Sequence, residues 1–190
     1  MSESVATGER RRRFTGAEVQ RMVEVGILHD SEHLELLNGD LVVTPPQGPI
    51  HTTLVEQLNY ALQRVYLVMG HRVRIASPIV ASDGSEPEPD LAVIAGTIPK
   101  SLRHPRCDEA ILLIEVAYTS HKIDHDKASD YAQGGAPVYW ILDVLARKLE
   151  VYTEPVPSAR RYRTLQVFGE ADTVMLPGTD VVWSVASLLP

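Results

Sequence analysis

Several common building materials are nearly missing from this chain. Its 190 residues include one cysteine, Cys107, so an internal disulfide and a cysteine-based zinc finger are both excluded. No apolar run approaches the roughly 20 residues that a membrane span needs. The first residues, MSESVATGERRRR, carry charge but no apolar core, so a secretory signal is not expected and a cytoplasmic setting is. Basic residues are outnumbered, with 18 Lys and Arg against 25 Asp and Glu and a net charge of −7. That balance argues against strong non-specific binding to nucleic acid, which needs a basic surface. It does not exclude an enzyme with a local basic patch. The nucleotide and hydrolase signatures are missing too: no G-x-x-x-x-G-K, no G-x-G-x-x-G, no G-x-S-x-G and no H-E-x-x-H. No repeat or low-complexity tract is visible.

What is present is an ordinary globular composition, 44% apolar and 23% charged, in a chain long enough for one domain with a proper core. A polar arm over residues 1–13, including the run Arg10–Arg13, is expected to precede a single domain over 14–190. The chain is organised around Ile111–Asp143. Ile111–Ile114 reads as a strand buried on both faces. Glu115 interrupts it, and a carboxylate among apolar neighbours is costly unless paired or coordinated. A helix-compatible piece, His121–Gln133, follows and carries Lys127. Gly134-Gly135 and Pro137 end it, and a second apolar strand, Val138–Leu142, closes on Asp143. Strand, helix and strand with such short links predict a crossover between parallel strands. The fold class is therefore α/β, with acid and amine on elements that pack together.

The flanking segments are read the same way. Thr15 with Glu18 forms a capping box for a short helix ending at Gly26. His33–Val43 is a hairpin with Asn38-Gly39 as its turn and Glu35 in its first strand. The rigid loop Pro45–Pro49 leads to a long helix, His51–Met69, for which Thr53 and Glu56 offer a second box. Arg72–Val80 alternates like a strand. The acidic turn Ser82–Pro89 delivers Asp90 at the head of a strand, Leu91–Ala95, with Pro89 fixing its presentation. A basic loop, Lys100–Arg106, follows. After Asp143 come alternating segments, Lys148–Thr153, Arg161–Phe168, Thr173–Leu176 and Val181–Val185, expected to extend the sheet as antiparallel strands.

Two strand-borne acids, Asp90 and Glu115, supply the oxygen ligands that Mg²⁺ and Mn²⁺ prefer, and Lys127 supplies a nearby ammonium able to orient a metal-bound water. Plainer alternatives exist for each. Asp90 caps a turn; Glu115 and Lys127 form a structural pair; Glu35 is an edge acid in water; His51 is a surface residue; Asp124 and Asp126 decorate a helix start; Tyr139 and Trp140 pack the core.

Taken together, Glu35-Leu36, the Pro-rich loop, His51 opening a long helix, Pro89-Asp90, Ile114-Glu115-Val116, Lys127 with Tyr131, and Tyr139–Asp143 resemble the Uma2 family. This is a bacterial group of restriction-endonuclease-like proteins assigned to the PD-(D/E)XK superfamily. The resemblance runs from Phe14 to the closing Pro177-Gly178 turn. It implies a restriction-endonuclease-like core, a central mixed sheet flanked by helices and extended by antiparallel hairpins. It further implies catalytic Asp90, Glu115, Lys127 and Glu35, a Mg²⁺ or Mn²⁺ ion on Asp90, Glu115 and the Val116 carbonyl, and His51 as a contact to nucleic acid. The superfamily lysine normally lies two residues after the acid; here that position is Ala117, and Lys127 on the following helix takes its place. The implied partners are nucleic acid, DNA in the first instance, and a second copy of the chain, since cutting two strands takes two sites. The implied activity is metal-dependent hydrolysis of a phosphodiester. The competing expectation is an inactive binding or assembly module that kept the fold, and a third is a hydrolase of small phosphodiesters.

Overall fold

The structure, a computed structural model, describes residues 11–29, 32–44, 46–98, 103–118 and 121–190. Most of the expected N-terminal arm, Pro45 of the rigid loop and Lys100 of the basic loop lie outside them.

Helix α1 (Gly16–Glu24) begins as the sequence predicts. The Glu18 amide donates to Thr15 Oγ1 at 3.3 Å and the Thr15 amide to the Glu18 carboxylate at 3.0 Å, so two orphan donors are satisfied reciprocally. Strands β1 (Leu34–Leu37) and β2 (Asp40–Val43) form the hairpin. Asn38 and Gly39 turn it with φ of 52° and 82°, the left-handed pair that matches strand twist and that Asn-Gly tolerates.

Helix α2 (Pro49–Tyr66) departs from expectation at its start. It begins at Pro49 with Gly48 as its N-cap and no side-chain cap. Proline fits the first helical position because its missing N–H is an orphan there anyway, and this outcompetes the Thr53–Glu56 box four residues on.

The main sheet has the order β3 (Arg72–Ile75), β4 (Leu91–Ile94), β5 (Ala110–Ala117), β6 (Val138–Asp143), β7 (Lys148–Val156) and β8 (Arg161–Gly169). Among the described strands of this sheet β5 and β6 are the one parallel pair, joined by helix α3 (His121–Gln133). Strand β3 is shorter than its alternating pattern suggested, because Ala76 takes φ 38° and breaks the extended run. The last strands, β9 (Thr173–Met175) and β10 (Val182–Ser184), do not extend the sheet; they pair with each other as a separate ribbon.

Two apolar layers sandwich the sheet. On one face Leu54, Leu58, Leu62 and Tyr66 of α2 meet Leu112, Ile114, Val116, Trp140 and Leu142. On the other Tyr131 and Ala132 of α3 meet Leu113, Tyr139 and Ile141. Each fully buried leucine or isoleucine contributes roughly 1.5–3 kcal/mol. The two-residue period of β5 then decides the site. With Ile114 and Val116 facing α2, Glu115 faces α3.

Candidate active site

Five side chains from four elements and one loop converge beside the C-terminal end of β5. Glu115 contributes its carboxylate from that strand and is almost completely buried. Its Oε1 accepts from Lys127 Nζ at 3.1 Å and from the Tyr131 hydroxyl at 2.9 Å. Its Oε2 accepts from the Asp90 amide at 3.3 Å. Lys127 comes from α3, buried, and donates further to Glu35 Oε1 at 3.0 Å and to the Glu88 carbonyl at 3.3 Å. Glu35, buried on β1, is fixed in turn by the Glu88 amide at 3.0 Å.

Asp90 sits immediately before β4, its side chain 13% exposed, the most accessible member of the group. Its Oδ2 accepts from the Val116 amide at 2.7 Å. Its Oδ1 lies 3.0 Å from His51 Nε2, while His51 Nδ1 lies 2.9 Å from the Val116 carbonyl oxygen. A carbonyl oxygen only accepts, so Nδ1 carries a proton and donates there, while Nε2 faces the Asp90 carboxyl group.

The electrostatics agree with this arrangement. Burial works against a charge on His51, but the bond to Asp90, its negative charge and the Val116 carbonyl together raise its pKa above the ordinary histidine value. Burial pushes Glu115 well above the usual carboxylate range; Lys127 opposes the shift, and Asp90, Asp124 and Glu35 add to it. Burial disfavours the Lys127 ammonium, yet Glu115 and Glu35 more than compensate, so its pKa is raised. Lys127 is a fixed cation.

The structure thus brings together every side chain singled out in the sequence: Glu35, His51, Asp90, Glu115 and Lys127. Glu35 is not an edge acid in water and His51 is not a surface residue. His51 contacts the acid and the strand carbonyl, not the outside. Two members were given no role in the site. Tyr131, noted only as part of the family pattern, bonds Glu115 directly, and Asp124, read as helix decoration, is buried and acts electrostatically on Glu115, Lys127 and His51. Their spacing to Lys127, three residues before and four after, puts all three on one helix face. That period was the signal available.

A clasp behind the site holds its elements in register. Asp130, one turn along α3 from Lys127 and buried, accepts from Arg160 at 2.6 Å and from Asn38 Nδ2 at 3.3 Å. Arg160 also donates to the Asn38 side chain, and the Asn38 amide donates to Ser85 Oγ at 2.7 Å. The hairpin that carries Glu35 is tied to the helix that carries Lys127.

As to metals, Asp90, Glu115 and the Val116 carbonyl are a hard-oxygen donor set of the kind Mg²⁺ and Mn²⁺ take. The His51 ring lies between two of those donors, the Val116 carbonyl and Asp90 Oδ1. Among the described residues there is no group of three His, Cys, Asp or Glu side chains arranged as a ready-made metal centre.

A mixed sheet with one parallel pair, a helix on each face and this acid–lysine cluster at the strand end defines a nuclease-like α/β fold. Among solved structures it is similar to that of a "putative nuclease belonging to DUF820" from Anabaena variabilis, with TM-score 0.67 and 18% identity over 87% of this chain and 94% of that one. The Uma2 family model, described as "Putative restriction endonuclease", matches residues 17–187, and the chain belongs to that family. No curated protein matches it. No helix among the described residues is long and apolar enough to cross a membrane.

Proposed function

We propose that this protein is a Mg²⁺- or Mn²⁺-dependent phosphodiesterase that hydrolyses nucleic acid, DNA being the expected substrate. The observation that carries the reading is the convergence of Asp90, Glu115 and the Val116 carbonyl with Lys127 at one strand end. A purely structural buried ion cluster is usually no better than apolar packing. Asp90, Glu115 and the Val116 carbonyl would hold the ion, which would supply Lewis acidity toward a phosphate oxygen and make a water more acidic.

The chain's own groups do the rest. Lys127 stays protonated, so it serves as a cation and not as a base. It fixes the Glu115 carboxylate and adds positive charge where negative charge builds on the phosphate. Glu35 and the Glu88 carbonyl hold the Lys127 ammonium in place. Tyr131 and the Asp90 amide orient Glu115, and the Val116 amide orients Asp90. Asp90 is the least buried member, so a scissile phosphate approaches from its side. Residues 14–190 form the catalytic unit, and two copies act together on duplex substrate.

A second reading has its own support. Every oxygen of Asp90 and Glu115 already has a protein donor, as in a module that kept the fold for binding or assembly. Calorimetric titration of Mn²⁺ separates the two. The enzyme reading predicts binding by wild type, loss of binding in Asp90→Ala and Glu115→Ala, and retained or tighter binding in Lys127→Ala, which removes a positive charge. Absence of binding at millimolar Mn²⁺ favours the module.

A further inference from the structure

Among the described members of the cluster, His51 touches both the least buried acid, Asp90, and a backbone carbonyl. Its two ring nitrogens reach Asp90 Oδ1 at 3.0 Å and the Val116 carbonyl oxygen at 2.9 Å, two of the three donors assigned above to the ion. A ring spanning those oxygens leaves no room for an ion bonded to both. The ring is buried, so this is a packed position and not a passing contact. The other charged groups that act on it are acids, Asp90 and, at longer range, Asp124.

We propose that His51 is a resident plug: its ring occupies the cation's place between Asp90 and the Val116 carbonyl, and metal binding requires it to swing out. The inference rests on the metal-dependent reading above and adds to it the step by which the cluster is opened. His51 is the third residue of α2, in a first turn that opens on Pro49 and whose N-cap, Gly48, makes no side-chain bond. Helix ends fray first, and the neighbouring Ile50 is exposed, so a swing of His51 needs only that turn to open.

A half-buried carboxylate without partners is costly to fold, and the plug supplies one to Asp90, as Lys127 does to Glu115. It also makes a distinguishing demand on mutation. A histidine that ligates the ion binds it less well when removed, whereas one that blocks the ion does the reverse.

The test is calorimetric titration of Mn²⁺ into wild type and His51→Ala, with circular dichroism to confirm folding. The plug predicts at least about tenfold tighter binding in His51→Ala, or binding that appears only in the variant. A second readout uses wild type alone: Mg²⁺ titration followed by the ring resonances of His51 in ¹H–¹⁵N spectra. The ring signals are expected to move with saturation in wild type and to stay put in Asp90→Ala. If His51→Ala binds Mn²⁺ equally or less tightly than wild type, the plug is wrong and the metal reading survives. If the variant misfolds, unmoved His51 signals in metal-saturated wild type overturn the plug. If neither protein binds millimolar Mn²⁺, both readings fall together.

Discussion

Lys127→Met is the perturbation whose size follows most directly from the geometry. Methionine matches the length and burial of the lysine stem but removes the charge. Lys127 Nζ makes two ion pairs, to Glu35 at 2.9 Å and Glu115 at 3.1 Å, and a hydrogen bond to the Glu88 carbonyl. All three side chains are at most 5% exposed, so water cannot replace the lost donor. Breaking a buried pair by removing one partner costs about 3–5 kcal/mol. Here the lower half of that range is expected, since Glu115 keeps Tyr131 and Glu35 keeps the Glu88 amide. The cost must also depend on pH. Burial raises the folded pKa of Glu115 above its unfolded value, and removing Lys127 raises it further. The native state then holds the proton longer than the unfolded state, so stability falls as pH rises through the window above about 4.5. Urea unfolding of wild type and variant at pH 5 and pH 7.5 measures both effects. The variant should lose about 3 kcal/mol at pH 7.5 and clearly less at pH 5, and adding Glu115→Gln should recover part of the loss. A cost below about 1 kcal/mol, or one equal at both pH values, would refute the assignment of Lys127 as the cluster's cation.

Gly134→Ala should destabilise by about 1–3 kcal/mol in urea unfolding, because an added Cβ would lie 2.6 Å from Cys107 Cβ and 2.8 Å from the Ala81 Cα, with no flexible group to yield. Wild-type stability in the variant would show that the α3 terminus is not packed against those residues. On β7, burial works to raise the pKa of Glu150, but hydrogen bonds from Lys148, His125 and Tyr152 hold it down to about 2. Its stabilising effect is therefore present above about pH 4.5 and is lost as pH falls through 2. Since Lys148 and His125 are partly exposed, Glu150→Gln should cost only about 1–2 kcal/mol near pH 6. The two stability curves should converge by pH 2, and parallel curves would contradict the assignment.

Much of this was legible because local chemistry and tertiary structure agree. The Thr15–Glu18 box, the Asn38-Gly39 turn, the β5–α3–β6 unit and helix His121–Gln133 are each specified by a few neighbouring residues. Glu115 stood out because a charge within a buried strand needs a partner, and the following helix offers two amines, Lys122 and Lys127, of which Lys127 makes the contact. Helix α2 misled because two start signals compete, and Pro49 precedes Thr53. The β9–β10 ribbon misled because alternation shows that a strand exists but not which strand it joins. Glu35 and His51 were ambiguous for a related reason. Their partners lie 92 and 39 residues away, and no local pattern encodes such contacts. Asp124 and Tyr131 needed only the helical period counted from Lys127.

The central claim is that Asp90, Glu115 and Lys127 form a working phosphodiesterase site. It is tested most directly by incubating supercoiled plasmid and labelled single-stranded oligonucleotides with wild type and Asp90→Asn in Mn²⁺, Mg²⁺ or EDTA. Wild type is expected to cleave with metal and not in EDTA, and Asp90→Asn, altered at a group that would hold the reacting centre, to lose at least about 100-fold. Intact substrates with wild type in Mn²⁺, or equal cleavage by Asp90→Asn, would contradict it.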